Sequence, residues 1–161
     1  SPGVAGRPSG SGLATEFMCQ ANTIGTKLSE ISAVHALTDV TGFGLAGHLL
    51  EVCDGAGLDA TLNVSLIPEL PALDDYIAKG CVPGGTERNH IAYGAALPEL
   101  THREKAILCD PQTSGGLLIA VAETALHEVQ AMLHDNGLPQ EVIGTLSTRS
   151  GATSRITLSS A

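Results

Sequence analysis

Between the pair Gly115-Gly116 and the acidic residue Glu123 runs LLIAVA at 117–122, six apolar residues without a break. A run this short suits a strand covered on both faces, because successive strand side chains point to opposite sides. The spacing then changes: over 123–137 Leu126, Val129, Met132 and Leu133 fall on one helical face, and Asn136-Gly137 forms the stop. A covered strand followed at once by an amphipathic helix restricts the chain to layers of sheet and helix.

The same two periods recur along the sequence. Residues 34–40, VHALTDV, read as a strand ending in a turn at Thr41-Gly42, and 43–56 return to helical spacing through Leu45, Leu49, Val52 and Cys53. Gly55 and Gly57 stop that helix. At 58–67 Leu58, Ala60, Leu62, Val64 and Leu66 alternate with polar or small partners, the pattern of a half-buried strand closed by Pro68. A further helical face joins Leu13, Phe17, Ala21, Ile24 and Leu28. The segment 71–79 reads as a short helix, Gly80 to Gly85 as a loop, and 86–109 as irregular with helical patches. Two terminal strands are expected at 141–147 and 154–159, around Arg149-Ser150-Gly151. The fold class is therefore α+β, a mixed β-sheet with helices packed on it. Residues 1–12, SPGVAGRPSGSG, are rich in Gly, Pro and Ser and are expected to be a flexible tail, leaving 13–161 as a single domain.

Composition removes several functional classes. Lys and Arg number 8 against 17 Asp and Glu, giving a net charge of −9 that repels polyanions, and no nucleic-acid partner is expected. Two Phe, two Tyr and no Trp leave no platform for stacking bases and require an aliphatic core. Cys19, Cys53, Cys81 and Cys109 form no C-x-x-C pair, which fits reduced thiols in a cytoplasmic protein rather than a zinc knuckle or disulfide framework. Cys19 and Cys53 fall within helical patterns as small core residues. No apolar run reaches the ~18 residues a membrane helix needs, so no membrane association is expected. The six histidines show no metal-ligand spacing and read as structural or surface residues.

Three polar, glycine-bearing segments interrupt this pattern beside expected strand ends or helix starts, where ligand sites commonly form. In T-D-V-T-G-F-G at 38–44, Asp39 ends a strand just before a helix begins. Backbone N–H groups at a helix start favour an anion, whereas a carboxylate repels one. Both serve a single ligand only with a divalent cation between them, for which Mg²⁺ with substrate phosphates is the natural candidate. The structural alternative is that Asp39 or Thr41 caps helix 43–56. In V-P-G-G-T-E-R-N at 82–89, Pro83-Gly84-Gly85 fits a tight turn and Arg88 offers a planar fork to phosphate, or is an ordinary surface arginine. In D-P-Q-T-S-G-G at 110–116, Thr113, Ser114 and the two glycines can form an anion-binding nest, or the glycines serve only close packing.

Taken together, TDVTGFGLAGHLLEVCDGAG at 38–57, VPGGTERN at 82–89 and LCDPQTSGGLL at 108–118 resemble, in order and separation, the selenophosphate synthetases. GLATEFMCQAN at 12–22 is similar to the opening of that family's C-terminal domain. The family lies within the aminoimidazole ribonucleotide synthetase superfamily, whose members join an ATP-binding N-terminal half to an α+β C-terminal half. The resemblance implies ATP- and Mg²⁺-dependent formation of selenophosphate from selenide, with AMP and phosphate as the other products, for selenocysteine and selenouridine synthesis. It places Asp39 at the metal, and Thr38, Thr41, Gly42, Arg88, Thr113 and Ser114 around the nucleotide. It also implies that the ATP-binding half, with its reactive Cys or selenocysteine, its Lys and further aspartates, is absent from this chain. On that basis the chain holds no catalytic residue and is expected to be inactive alone, its partner being that half, with dimer formation when full length. The alternatives are another ATP-binding member of the superfamily, or an interaction module without turnover.

Overall fold

The computed structural model describes residues 24–68, 73, 77, 84–111 and 116–159. The expected tail at 1–12, the first part of the helix beginning at Leu13, Cys19, Cys81, Thr113, Ser114 and most of 71–83 lie outside them. In chain order the elements are helix α1 (24–29), strand β1 (Val34–Asp39), helix α2 (Gly44–Ala56) and strand β2 (Leu58–Asn63). Helices α3 (Gly84–Tyr93) and α4 (His102–Cys109), strand β3 (Leu117–Val121), helix α5 (Leu126–Asp135) and strands β4 (Gly144–Thr148) and β5 (Ile156–Ser159) follow.

The strands form two small sheets rather than one. β1 and β3 pair antiparallel, with Asp39 opposite Leu117. β2 lies between β4, antiparallel, and β5, parallel, so this second sheet is the mixed one. The alternation expected for LLIAVA is present: Leu117, Ile119 and Val121 pack on one apolar cluster and Leu118 on another, although each residue of β3 is only half-buried. The smaller cluster sets Ile24 and Leu28 of α1 against Val129 and Leu133 of α5. A register shift between Val34 and Ala36 lets Val34 and Leu37 of β1 face that same cluster. The larger cluster joins Leu45, Leu49 and Cys53 of α2 to Ala60 and Leu62 of β2, Ile156 of β5, and Ile107 and Leu108 of α4.

Three local expectations are corrected. The strand expected at 58–67 ends at Asn63, whose Oδ1 accepts from the Ser65 N–H at 3.0 Å and the Ser65 hydroxyl at 2.6 Å, turning 64–66 into one 3₁₀ turn. The tight turn expected at Pro83-Gly84-Gly85 is instead, from Gly84 onward, the start of α3. Residues 86–109, expected to be irregular with helical patches, hold most of α3 and all of α4 as ordered helix. Thr101 opens α4 with a capping box, its Oγ1 accepting from the Glu104 N–H at 3.2 Å while Glu104 accepts from the Thr101 N–H at 2.7 Å.

Candidate functional site

Asp39 is the last residue of β1 and is exposed, while Val40 beside it is buried in the larger cluster. This is strand alternation carried one residue past the pairing, and it is continued by the backbone: the Val40 N–H donates to the Gly116 carbonyl at 2.9 Å. Burial of Val40 thereby holds the neighbouring carboxylate at the surface. Neither Asp39 nor Thr41 caps α2, whose N-cap is Phe43 with no side-chain hydrogen bond, so the capping alternative fails.

Thr41 is held by a histidine one helix face away. Its backbone N–H donates to Nε2 of the buried His48 at 3.2 Å, and its hydroxyl lies 3.3 Å from the same nitrogen. Because Nε2 accepts, the neutral ring carries its proton on Nδ1, which donates to Glu51 at 3.2 Å. His48 thus has the structural role expected of it, and one directed at the candidate site. Thr38 is half-buried, its hydroxyl 3.4 Å from the Asp39 carbonyl.

The three glycine-bearing segments meet. Asn89 of α3 donates from Nδ2 to the carbonyls of Gly42 and Cys109, each at 2.9 Å. Gly44, with φ +69°, sits so close to the end of α4 that a Cβ there would lie 2.9 Å from the Cys109 carbonyl carbon. A Cβ on Gly85 would lie 2.6 Å from Pro111 Cγ. Segments separated by some forty and twenty residues in sequence therefore share one junction, floored by α4 and walled by the start of α3. Arg88 is exposed on α3 beside Asn89. Thr113 and Ser114 are outside the described residues.

His48, Asn89 and Tyr93 are the residues that pattern reading alone did not assign to the site. Asn89 stood in the quoted 82–89 segment, and Tyr93 is four residues further along the same helix face. The Tyr93 hydroxyl donates to the Phe43 carbonyl at 2.5 Å; burial, with Cys109 beside it, pushes that phenol well above its ordinary range. Cys53 and Cys109 are buried free thiols, both pushed up chiefly by burial, and so are protonated near neutrality. Neither is an activated nucleophile. Among the described residues no three His, Cys, Asp or Glu side chains form a group able to hold a metal ion. None of the described helices is long and apolar enough to cross a membrane.

The described residues form an α+β domain in which an exposed carboxylate ends a strand beside a helix start, next to two further polar segments. The chain belongs to the family described as AIR synthase related protein, C-terminal domain, whose profile matches residues 9–156. It is also similar to proteins named selenide, water dikinase: 57% identical over 136 residues to that of Shewanella sp. strain ANA-3, and 58% to those of Shewanella sp. strain W3-18-1 and Shewanella putrefaciens strain CN-32. These matches cover 84% of this chain and 39% of each relative, so the chain spans about two fifths of their length.

Proposed function

We propose that this chain is the C-terminal part of a selenide, water dikinase, a cytoplasmic enzyme that makes selenophosphate from ATP, selenide and water and releases AMP and phosphate. The observation that carries the reading is the junction itself: the segments that give the sequence its likeness to selenophosphate synthetases meet next to the exposed Asp39, through Asn89 to Gly42 and Cys109 and through Val40 to Gly116. Identity of 57–58% to proteins of that name favours it over other ATP-using members of the superfamily.

The residues present fit a shared Mg²⁺ site rather than a closed one. Mg²⁺ is commonly held by one or two carboxylates together with substrate phosphates and waters, and Asp39 supplies one carboxylate at the surface. Magnesium bound there would neutralise phosphate charge as phosphoryl groups leave ATP. The remaining ligands and the reacting groups belong to the ATP-binding half. Asp39 presents its charge across the boundary between halves, while Thr41, engaged by His48, and Gly42, held by Asn89, border the nucleotide beside it. Thr38, Arg88, Thr113 and Ser114 complete the set assigned to the nucleotide. The full-length enzyme is expected to dimerise.

Purified full-length protein is expected to form AMP only when both ATP and selenide are supplied, and the 161-residue chain alone is expected to form none. AMP production by the chain alone would overturn the division of labour. A full-length protein that is active on another acceptor but not on selenide would move the assignment to a different member of the superfamily.

A further inference from the structure

The amide of Asn89 carries two protons, and the two carbonyls it meets, Gly42 and Cys109, belong to different loops, the turn after Asp39 and the entry to the 110–116 segment. One turn of helix later, Tyr93 donates to Phe43, so α3 holds two consecutive carbonyls of the Asp39 turn from one face. Both acceptors are backbone atoms, so the grip fixes the path of the chain rather than the rotamer of a side chain. The Val40 N–H to Gly116 carbonyl hydrogen bond ties the same turn to the residue preceding β3.

Resting on the functional reading above, we infer that Asn89 is a positioning residue for the proposed phosphoryl transfer: its amide locks the Asp39 turn to the C-terminal end of α4 and so fixes where the carboxylate meets the Mg²⁺–nucleotide. An aspartate in its place would set a carboxylate oxygen against two carbonyl oxygens, and an alanine would leave both carbonyls without this donor. Asn89 needs no contact with substrate to act. Its effect passes through Asp39.

The test uses the full-length protein with Asn89→Ala, Asp39→Asn and the double variant. Asn89→Ala is expected to lower kcat about 30-fold and to raise the Mg²⁺ concentration for half-maximal rate at least about fivefold, with KM for ATP changed less than about threefold. Amide exchange over 40–44 should quicken about tenfold while the thermal midpoint stays close to that of the parent. Because Asn89 works through Asp39, the double variant should be within about threefold of Asp39→Asn alone. Wild-type Mg²⁺ dependence in Asn89→Ala, or losses that multiply in full in the double variant, would overturn the inference. If Asn89→Ala fails to fold, Tyr93→Phe removes one hydroxyl from the same grip and should shift the Mg²⁺ requirement in the same direction; no shift counts against the inference. A wild-type protein inactive on selenide defeats the functional reading instead, and exchange at 40–44 in Asn89→Ala then still decides whether the clamp orders the turn.

Discussion

Helix α2 is fastened differently at its two ends. At its start, uncharged donors grip backbone carbonyls: Asn89 on Gly42 and Tyr93 on Phe43. At its end, charge does the fastening. Arg149 pairs with Asp54 at 2.9 Å and donates to the Cys53 carbonyl at 3.2 Å, while Arg155 pairs with the same Asp54 carboxylate. Cationic donors suit a helix C-terminus, where carbonyls lack partners. Nearby, Asp59 accepts from the Ser150 N–H at 2.7 Å and the Ser150 hydroxyl at 2.8 Å. The contrast follows from what each end must do. A fixed ion pair beside Asp39 would compete for the charge the site has to offer, whereas uncharged donors set the geometry and leave that charge available. At the far end, which holds none of the candidate site residues, ion pairs from Arg149 after β4 and Arg155 before β5 tie those strands to the helix.

The largest effect on this comparison should come from Gly44. Its φ of +69° and the 2.9 Å approach to Cys109 backbone mean that Gly44→Ala adds crowding to an unfavourable backbone conformation, for a loss of about 3 kcal/mol or more. Gly57 at the other end has φ +66° but nothing within 4 Å, so Gly57→Ala should cost only about 1 kcal/mol. Equal losses in denaturant titration would show that the close packing at the start of α2 carries no special weight.

Next in size is the charged end. Asp54→Asn should cost about 1 kcal/mol at low salt, because Asp54 is 60% exposed and its two arginines are partly solvated. Most of that difference should vanish in molar salt, whereas Tyr93→Phe should show no such salt dependence. The smallest effect belongs to Asp59. Hydrogen bonds from the Ser150 backbone and side chain, aided by Arg149 and Arg155, hold its carboxyl below the usual range. A depressed carboxyl stabilises the fold above its unfolded value of about 3.9, and that contribution disappears as pH falls through the lower folded value. Thermal melts of Asp59→Asn and the parent should therefore differ at pH 7 and converge in acid; a gap that persists there would remove Asp59 from the ionic clasp.

The candidate site residues could be singled out in the sequence more readily than the scaffold around them could be placed. Asp39, Thr41 and Gly42 could be singled out because polar and glycine residues interrupt an apolar pattern at a strand end. The strand assignments at 34–40 and 117–122 hold to within a residue, because alternate side chains there meet the two apolar clusters. Of 141–147 and 154–159 only 144–147 and 156–159 are strand; β4, exposed beyond Gly144, is held by its backbone pairing with β2 rather than by core contacts. Helix α3 was missed because its sequence has no apolar stripe; only Thr86 is fully buried, and the helix is held by polar contacts to other loops. Helix α4 had a visible signal, Thr101 followed three residues later by Glu104, that periodicity alone passes over. The Asn89 clamp and the Arg149–Asp54–Arg155 cluster join residues 20 to 101 positions apart, and no local pattern encodes such pairings.

The central claim is that the exposed carboxylate of Asp39 serves a Mg²⁺–nucleotide site completed by another part of the enzyme. Turnover of full-length Asp39→Asn across a Mg²⁺ titration tests it directly. The expected result is a folded protein with the thermal midpoint of the parent, a rate reduced at least about 100-fold, and partial recovery only at elevated Mg²⁺. Parental turnover and parental Mg²⁺ dependence in Asp39→Asn would contradict it.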